Sequence, residues 1–229
     1  MTSQIGHRLL SCWELLFDSG DQEGSLAPCE RRHPACRPLT SLSGHRNPAG
    51  RLYEERHLEE WVARRPEAIF PDREVVVVAA EKYAHLPQKI DLLAADREFG
   101  LHVVEMKIVP VGRAGQAAVD IHAQMRDYTA FLGWYPRSSL ESYYRKFAAR
   151  FHGSARDLGQ DCKARFGGLV ETSPGRPVLH EVYLAEGYDA DAAEYLRSHG
   201  AGRTRLVYFR LFSDGPYIEF WEITEATCG

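Results

Sequence analysis

The sequence predicts an α/β domain, because segments with the pattern of β-strands alternate with segments of helical periodicity. Three segments are predicted to be strands: the apolar run at residues 75–78, and two apolar arms at residues 90–95 and 101–108 that flank a loop containing a glycine. Helical patterns lie on both sides of these strands, at residues 54–65 and 116–132. A chain of 229 residues is long enough to form one well-packed domain of this class.

The composition is that of a globular protein, with 44% hydrophobic residues. The net charge is −4 and the isoelectric point is near 6.2, so any nucleic-acid contact must use a local basic patch or a metal ion. The five cysteines form no Cys-x-x-Cys pair, and their odd number argues against a disulfide framework and favours a reducing cytoplasm. No apolar run approaches the roughly 20 residues that span a bilayer, so we expect a cytoplasmic location and no membrane partner.

The domain organisation is predicted from a change in composition near residue 50. The segment before it is rich in turn-forming residues and has little periodicity beyond a short helix predicted at residues 9–17. The predicted units are a loosely ordered N-terminal extension at residues 1–50 and a domain at residues 51–229, with its core at 52–135 and an extension of the sheet at 136–229.

The N-terminal extension contains residue types that bind zinc. They are Cys29, His33, Cys36 and His45. A structural zinc site normally has paired ligands at short spacings, and this segment has no such pairs. Free thiols in a flexible arm are therefore the favoured interpretation.

The first helix of the core is predicted at residues 54–65. Leu58, Trp61 and Val62 recur there at helical spacing, and Pro66 ends the segment. These apolar residues are predicted to anchor the helix in the core.

Carboxylates follow one flank of this helix. Glu55 and Glu59 stand one turn apart and can project from the same side. For Glu59 and Glu60 we favour a solvated acidic flank with no functional role.

The geometry of the predicted hairpin brings three charged residues together. If the loop closes the hairpin, Ala95 pairs with Leu101, and counting back along both strands places Asp91 opposite Glu105. Side chains alternate along a strand, so Lys107 lies on the same face as Glu105. Two facing carboxylates, with Cβ atoms about 5 Å apart, destabilise a strand pair unless another group neutralises them.

A bound divalent cation would explain the facing carboxylates. Mg²⁺ prefers oxygen ligands and is commonly held by one or two carboxylates, waters and phosphate oxygens. With an ammonium group two residues along the strand, such a site can polarise a phosphate and activate a water. The alternative is an ordinary surface hairpin in which Lys107 or Lys89 neutralises Asp91 and Glu105.

The helix predicted at residues 116–132 follows the hairpin. Its inward stripe is predicted from residues that recur at spacings of three and four: Ala117, Ile121, Gln124, Tyr128 and either Phe131 or Leu132. An inward Gln without hydrogen-bond partners costs about 1 to 3 kcal/mol. We therefore expect Gln124 to face the carboxylates or their water.

The segment from residue 55 to residue 132 resembles the PD-(D/E)xK nuclease superfamily, the metal-dependent fold of many restriction and repair endonucleases. Four elements match in order: Glu55-x-x-Leu58 on a helix, Ile90-Asp91, Glu105-Met106-Lys107, and Gln124-x-x-x-Tyr128 on the next helix. The branch that cleaves mismatched and branched DNA is the most similar. The resemblance implies a restriction-endonuclease-like αβββαβ core, with a central mixed sheet flanked by helices.

The resemblance also implies roles for individual residues. The implied metal ligands are Asp91, Glu105, the backbone carbonyl of Met106, and Glu55. Lys107 would position or activate the attacking water, and Gln124 would support the cluster. Glu54 or Glu59 takes the place of Glu55 if the helix is rotated or shifted by one turn.

Together these features predict a Mg²⁺-dependent deoxyribonuclease that hydrolyses phosphodiester bonds with a metal-activated water, in DNA repair, restriction or defence. Mn²⁺ is expected to replace Mg²⁺. The expected partner is DNA, including single-stranded or branched DNA, while RNA as substrate and a homodimer as the active unit remain open. One alternative is a nucleic-acid-binding or assembly protein that keeps the nuclease fold without turnover, and another is a fold coincidence with purely structural ion pairs.

Residues 137–165 are locally basic and carry interleaved aromatic residues, a mixture that binds single-stranded nucleic acid and is also typical of an amphipathic helix with a solvated face. The candidate contacts on this segment are Arg145, Lys146 and Arg150. A second candidate set lies around the predicted metal cleft: Lys89, Arg113, Arg126 and Tyr128.

The remaining segments are predicted to extend the sheet, with strands at residues 178–185, 206–212 and 217–223 and a helix at 189–199 that begins with an Asp cap. His180, His199 and Cys228 are scattered in the sequence and are not predicted to be ligands.

Overall fold

The computed structural model describes residues 5–16, 25–29, 54–83, 89–112, 117–134, 137–168, 177–200, 203–212 and 217–225. Its strands are β1 (Ile5–Leu16), β2 (Ser25–Pro28), β3 (Val75–Ala80), β4 (Leu92–Asp96), β5 (Gly100–Lys107), β6 (Val178–Ala185), β7 (Thr204–Leu211) and β8 (Tyr217–Glu225). Its α-helices are α1 (Glu55–Arg64), α2 (Ala117–Leu132), α3 (Arg137–Phe151), α4 (Leu158–Phe166) and α5 (Ala190–His199). A short 3-10 helix, Pro66–Ala68, follows α1.

All the strands belong to one sheet, in the order β2-β1-β8-β7-β6-β5-β4-β3. The sheet is mixed. The strand β6 runs parallel to both of its neighbours, β5 and β7, and the other neighbouring pairs are antiparallel. The predicted α/β class and the mixed sheet flanked by helices are therefore confirmed. No helix in the described segments has both the length and the apolar composition needed to cross a membrane.

The middle of the chain contains a helix, three strands, further helices and a fourth strand. After α1, the strands β3, β4 and β5 form an antiparallel meander, and β6 returns parallel to β5. A parallel return needs a long crossover, which α2, α3 and α4 supply, and α3 and α4 pack against the edge strand β3. The β3 strand is buried along its whole length, as its run of apolar residues predicts.

The register of the β4–β5 hairpin agrees with the sequence prediction. Ala95 pairs with Leu101, and Leu92 pairs with Val104 at the other end of the ladder. One further step in the same register brings Asp91 opposite Glu105. These two residues are the predicted pair of carboxylates.

The side chain of Asp96 helps to hold the hairpin loop closed, together with a backbone hydrogen bond from the Phe99 N–H to the Asp96 carbonyl at 3.1 Å. Its Oδ1 atom accepts the backbone N–H groups of Glu98 and Gly100, at 3.0 and 2.7 Å. Its Oδ2 atom lies 2.9 Å from His102 Nε2 and 2.9 Å from an Arg73 guanidinium nitrogen. Asp96 therefore fixes the turn, and with it the register of both strands.

The helix α1 forms as predicted. Leu58, Trp61 and Val62 are fully buried, and the helix ends at Arg64 because the proline at position 66 cannot continue it. At the other end, the Glu54 N–H donates to the Nδ1 atom of His57, which places Glu55 in the first turn.

The helix predicted at residues 9–17 was wrong, because this segment is the strand β1. It pairs antiparallel with β8 over most of its length. Trp13 and Leu15 are buried on one face while Glu14 between them is only half-buried, which is strand alternation. Residues 30–53 lie outside the described segments. The structure therefore does not test the loose order predicted there, or the zinc interpretation of His33, Cys36 and His45.

The predicted C-terminal elements are confirmed at β6, α5, β7 and β8. The Asp189 side chain caps α5 by accepting the Ala192 N–H at 2.6 Å. The last two strands pair as an antiparallel hairpin. This part of the chain extends the sheet from β6 to the N-terminal strands.

Candidate active site

A cleft of about 440 Å³ opens where the first turn of α1, the ends of β3 and β5, the start of β4 and one face of α2 meet. Its lining residues are Glu55, Glu81, Lys89, Asp91, Glu105, Lys107, Gln124, Asp127 and Tyr128. Five of these side chains are carboxylates and two are amines, so the cleft is strongly acidic. It contains every core residue that the sequence predicted for catalysis.

Asp91 is held at the end of β5 by a backbone hydrogen bond. Its Oδ2 atom accepts the N–H of Met106 at 2.7 Å. The N–H and C=O of one residue point to the same side of a strand. The carbonyl of Met106 therefore points toward the side on which Asp91 lies, as the implied role of that carbonyl requires.

The Glu105 carboxylate is almost completely buried, with 1% of its surface exposed. Its Oε1 atom forms an ion pair with the Lys107 ammonium at 2.8 Å. Its Oε2 atom has no hydrogen-bond partner among the residues that the structure describes. A buried carboxylate oxygen without a partner costs about 1 to 3 kcal/mol, so this atom is a strong candidate to contact a cation.

The electrostatics of the cleft follow from burial and from the crowding of like charges. Burial, and then repulsion by Glu105, raise the pKa of Asp91 well above its ordinary value. Burial also raises the pKa of Glu105, although the ammonium of Lys107 opposes the shift. Burial alone would lower the pKa of Lys107, but the surrounding carboxylates raise it overall, so the amine stays charged.

Of the three helix carboxylates considered from sequence, Glu55 is the one that lies in this cleft. Its Oε2 atom is 3.7 Å from Lys107 Nζ. Glu54 instead forms a surface ion pair with Arg56 at 2.8 Å. Glu59 faces the turn after β3, outside the cleft.

The expected burial of Gln124 was wrong, because its side chain is exposed at the rim of the cleft. The buried stripe of α2 consists of Ala118, Ile121, Met125, Tyr128 and Leu132. The helix is thus rotated by about one position from the predicted stripe, and Gln124 needs no buried partner. From the rim it can still contact a ligand in the cleft.

Tyr128 is buried on α2, as predicted, and faces the carboxylates. Its hydroxyl lies 3.5 Å from the backbone carbonyl of Lys89. Burial, followed by the negative charges of Glu105 and Asp91, raises the pKa of the hydroxyl, so it stays protonated and can donate a hydrogen bond.

Sequence reasoning missed two carboxylates of the cleft, Glu81 and Asp127. Glu81 directly follows β3, and its N–H donates to the carbonyl of Asp91 at 3.0 Å. Asp127 stands three residues after Gln124, on the same side of α2. The sequence pattern could have indicated both residues. Glu81 directly follows the strand predicted beside the hairpin, and Asp127 lies about one turn after Gln124 on the predicted helix.

The solvated acidic flank predicted for Glu59 and Glu60 was wrong, because both side chains are buried. Glu60 binds Arg64, the Tyr83 hydroxyl and the Lys82 ammonium, the last at 3.4 Å. Glu59 accepts the N–H of Lys82 at 2.7 Å. The two glutamates therefore attach α1 to the turn after β3, and this attachment helps to orient the first turn of the helix toward the cleft.

The burial of Glu59 predicts a pH-dependent effect of mutation. Burial raises its pKa to about 7, so its contribution to stability is fully present below pH 4.5 and is lost as pH rises through 7. Glu59→Gln keeps an oxygen that can accept the N–H of Lys82. We expect the free energy of unfolding in urea to rise by on the order of 2 kcal/mol at pH 8 and to change little at pH 4.5.

The half-exposed carboxyl of Glu67 provides the control for this measurement. Glu67→Gln should change the free energy of unfolding by less than about 0.5 kcal/mol at both pH values. If Glu59→Gln is equally neutral at pH 8, the burial of Glu59 carries no electrostatic penalty.

The candidate nucleic-acid contacts divide into separate groups. Lys89 lines the cleft and has a left-handed backbone, with φ of 52°. Arg126 is exposed on α2, and Arg113 lies outside the described residues. On α3, Arg145 and Lys146 are exposed, while Arg150 donates to the carbonyl of Tyr83 at 3.0 Å. Among the basic residues of these groups that the structure describes, Lys89 alone lines the acidic cleft.

A second group of metal-ligand residue types lies at the other end of the hairpin. Suitable atoms of Asp96, His102 and His180 fall within 4.8 Å of one another. The two imidazole rings are stacked, with centroids 4.5 Å apart and planes 12° from parallel. Imidazole nitrogens bind metals in the plane of the ring, so stacked rings do not aim at one ion.

The surroundings of these histidines also disfavour a cation. The guanidinium of Arg73 lies 3.3 Å from His102 Nε2. Burial, and then the neighbouring His102 and Arg73, lower the pKa of His180 to about 4. We interpret the group as a hydrogen-bonded clamp around the Asp96 loop.

Comparisons with family models, with curated proteins and with solved structures found no match to this chain. The interpretation of the cleft therefore depends on its own geometry and chemistry.

Proposed function

We propose that this protein is a divalent-metal-dependent nuclease with a PD-(D/E)xK-like core, and that the acidic cleft is its active site. The chain order of α1, β3, β4, β5, α2 and β6 supports the proposal, because it follows the αβββαβ order of that superfamily, with α3 and α4 as additional helices in the crossover. The convergence of the four matching sequence elements on one cleft supports it further.

The observation that carries the proposal is the unpartnered Oε2 atom of Glu105. It belongs to a carboxylate that is almost fully buried, and it lies in a cleft lined by four more carboxylates. A purely structural ion pair is not expected to leave such an atom inside an acidic cleft, because most buried polar groups in folded proteins are hydrogen-bonded. Oxygen ligands of this kind and number fit Mg²⁺ or Mn²⁺.

The residues that would hold the metal are Asp91, Glu105, Glu55 and the backbone carbonyl of Met106. When bound, the ion would supply Lewis-acid polarisation of a phosphate oxygen and would lower the pKa of a water ligand. Glu81 and Asp127 add negative charge at the same cleft, which strengthens the attraction for a divalent cation.

Lys107 supplies a positively charged group of the protein at the centre of the carboxylates. Its ammonium lies between the carboxylates of Glu105 and Glu55, at 2.8 and 3.7 Å. Held there, it can hydrogen-bond an attacking water or a phosphate oxygen and stabilise the negative charge that develops during hydrolysis. Tyr128 and Gln124 offer further hydrogen-bond donors at the wall and the rim of the cleft.

The substrate proposed is DNA, in duplex, single-stranded or branched form. Purified protein is incubated with linear duplex, single-stranded and branched DNA, and with single-stranded RNA, each in Mg²⁺, Mn²⁺ or EDTA. We expect cleavage of at least one DNA in both metals and none in EDTA. If no substrate is cleaved in either metal, the proposal of a nuclease is wrong, and a binding protein with this fold becomes the better account.

The position of Glu55 predicts a selective loss of activity. Glu55→Gln should lower the rate of cleavage by about 10²-fold, because it removes a charge beside Lys107 and the metal. Glu54→Gln is the matched control, since it changes the adjacent residue at a surface ion pair and should leave the rate within about twofold. Equal losses in single-turnover assays of the two variants would show that Glu55 is not a specific part of the site.

A further inference from the structure

A second recess, of about 390 Å³, lies at the opposite end of α1 and β3. It is enclosed by the C-terminal part of α1, the start of β3, and the helices α3 and α4. The residues that give the recess its character are aromatic or basic: Tyr144, Phe147, Phe151, Arg64, Arg156 and Arg165. Its volume is in the range typical of small-molecule sites.

The aromatic wall of the recess presents one partly exposed ring, that of Phe151, because Phe147 and Tyr144 are almost completely buried. The rings of Phe147 and Phe151 are stacked, with centroids 4.8 Å apart and planes 21° from parallel. The guanidinium of Arg64 lies over the ring of Phe151, at 5.2 Å from its centroid. Aromatic faces with a guanidinium beside them bind nucleobases of any sequence.

The recess is positively charged, although the whole protein is acidic. Its lining has the guanidinium groups of Arg64, Arg156 and Arg165. They outnumber two carboxylates, that of Glu60, which is paired with Arg64, and that of Asp161 in the lining. The Asp161 carboxylate is partly neutralised, because it accepts a hydrogen bond from Tyr144 and lies 3.7 Å from Arg156. The excess of guanidinium groups suits an anion with several oxygens, such as a phosphate.

The edge of the sheet also lines the recess. Residues 75–77 of β3 line it, and β3 is the terminal strand of the sheet among the described residues. The outward N–H and C=O groups of such an edge have no strand partner in the described segments. They can hydrogen-bond the polar edge of a flat ring that stacks against Phe151.

We infer that this recess is a nucleotide subsite, which binds one base and its phosphate from a single-stranded nucleic acid whose chain continues into the acidic cleft. The inference builds on the proposed nuclease function and adds where the substrate strand is held. The recess combines three features that suit a nucleotide: a partly exposed aromatic ring, an excess of guanidinium groups, and the edge of a sheet.

The distance between the recess and the cleft fits a short stretch of one strand. Glu55 is in the cleft and Arg64 in the recess, nine residues apart on one helix, which corresponds to about 13 Å at 1.5 Å per residue. A few nucleotides of a single strand span that distance. The subsite would therefore hold the strand a few nucleotides from the bond to be cleaved.

The first test measures the binding of a fluorescent 12-residue oligodeoxythymidine by anisotropy, in EDTA and at several salt concentrations. The double variant Arg156→Gln, Arg165→Gln removes two guanidinium groups of the recess. The matched control, Arg145→Gln with Lys146→Gln, removes two exposed charges of α3 that do not line the recess. These two residues are candidate contacts from the sequence, so the control also tests the rival path along the outer face of α3. Thermal unfolding confirms that both variants are folded.

We expect the recess variant to bind at least tenfold more weakly and to lower the salt slope by up to about 0.7 log units for each phosphate that the protein no longer neutralises. The control should change affinity by less than about threefold. If the control weakens binding as much as the recess variant or more, the strand follows the outer face of α3, and the inference is wrong.

A second test separates a nucleotide site from a general attraction for anions. Thymidine monophosphate, thymidine and inorganic phosphate are titrated calorimetrically into wild-type protein and into Phe151→Leu. We expect the monophosphate to bind more tightly than either fragment, and Phe151→Leu to weaken it at least fivefold. Equal binding of monophosphate and phosphate, unaffected by Phe151→Leu, would overturn the inference.

Neither test depends on catalysis, so the two proposals fail separately. Cleavage of DNA together with unchanged binding by the recess variants would remove the subsite and leave the nuclease. Recess-dependent binding without cleavage in any metal would remove the nuclease and leave the subsite.

Discussion

Glu105→Gln should abolish DNA cleavage, lowering the single-turnover rate by about 10³-fold or more. The substitution preserves the shape of a side chain that is buried at the centre of the cleft, and it removes the negative charge that faces Asp91 and Lys107. A neutral amide binds a divalent cation far less well than a carboxylate does. The rate is measured at saturating DNA in Mg²⁺, so that weaker binding of the substrate does not contribute.

The same variant distinguishes a metal site from a structural ion pair. In EDTA, the wild-type cleft holds buried carboxylates that repel one another, so Glu105→Gln should leave the melting temperature equal or higher. In Glu105→Gln, the ammonium of Lys107 still has the carboxylates of Asp91 and Glu55 as neighbours. Glu98→Gln, on the exposed loop of the same hairpin, serves as the control for both activity and stability. A marked loss of stability at Glu105 alone would favour the structural ion pair.

Asp96→Ala should destabilise the fold by about 3 kcal/mol or more. The substitution removes the acceptor for two backbone N–H groups in the hairpin loop and leaves the buried His102 without its carboxylate. The hairpin sets the register that places Asp91 opposite Glu105, so activity should fall together with stability. The free energy of unfolding in urea at pH 7 measures the first effect.

Asp96→Asn is the matched control for this prediction. It keeps an oxygen that can accept the two backbone N–H groups, and it removes only the charge toward His102 and Arg73. We expect it to cost less than half of the loss caused by Ala. If both substitutions cost less than about 1 kcal/mol, the loop does not depend on Asp96 for its closure.

The hairpin and its carboxylates could be predicted from the sequence because the signals there are local. A glycine-containing loop fixes the register within a few residues, and alternation then assigns each side chain to a face. The structure shows the same register at Ala95 and Leu101. Local signals also predicted the start of α1, but they left Glu54 and Glu59 as alternatives to Glu55, and the structure shows that Glu55 is the one that lines the cleft.

Predictions that depended on distant partners were the ones that were wrong. The strand β1 is defined by its pairing with β8, some 200 residues away, and that partner was not visible in the local pattern. Glu59 and Glu60 are buried because the turn after β3 supplies N–H, ammonium and hydroxyl partners. The exposure of Gln124 depends on which side of α2 faces the sheet. The spacing of apolar residues fixes this rotation of the helix about its axis only to about one residue position.

The most direct test of the central claim is to locate Mn²⁺ by anomalous diffraction from crystals of the protein soaked in MnCl₂. The account predicts a strong anomalous peak in the cleft, in contact with Asp91 and Glu105, and the disappearance of that peak in Glu105→Gln. A peak at Asp96, His102 and His180 with none in the cleft, or no peak at saturating Mn²⁺, would contradict it.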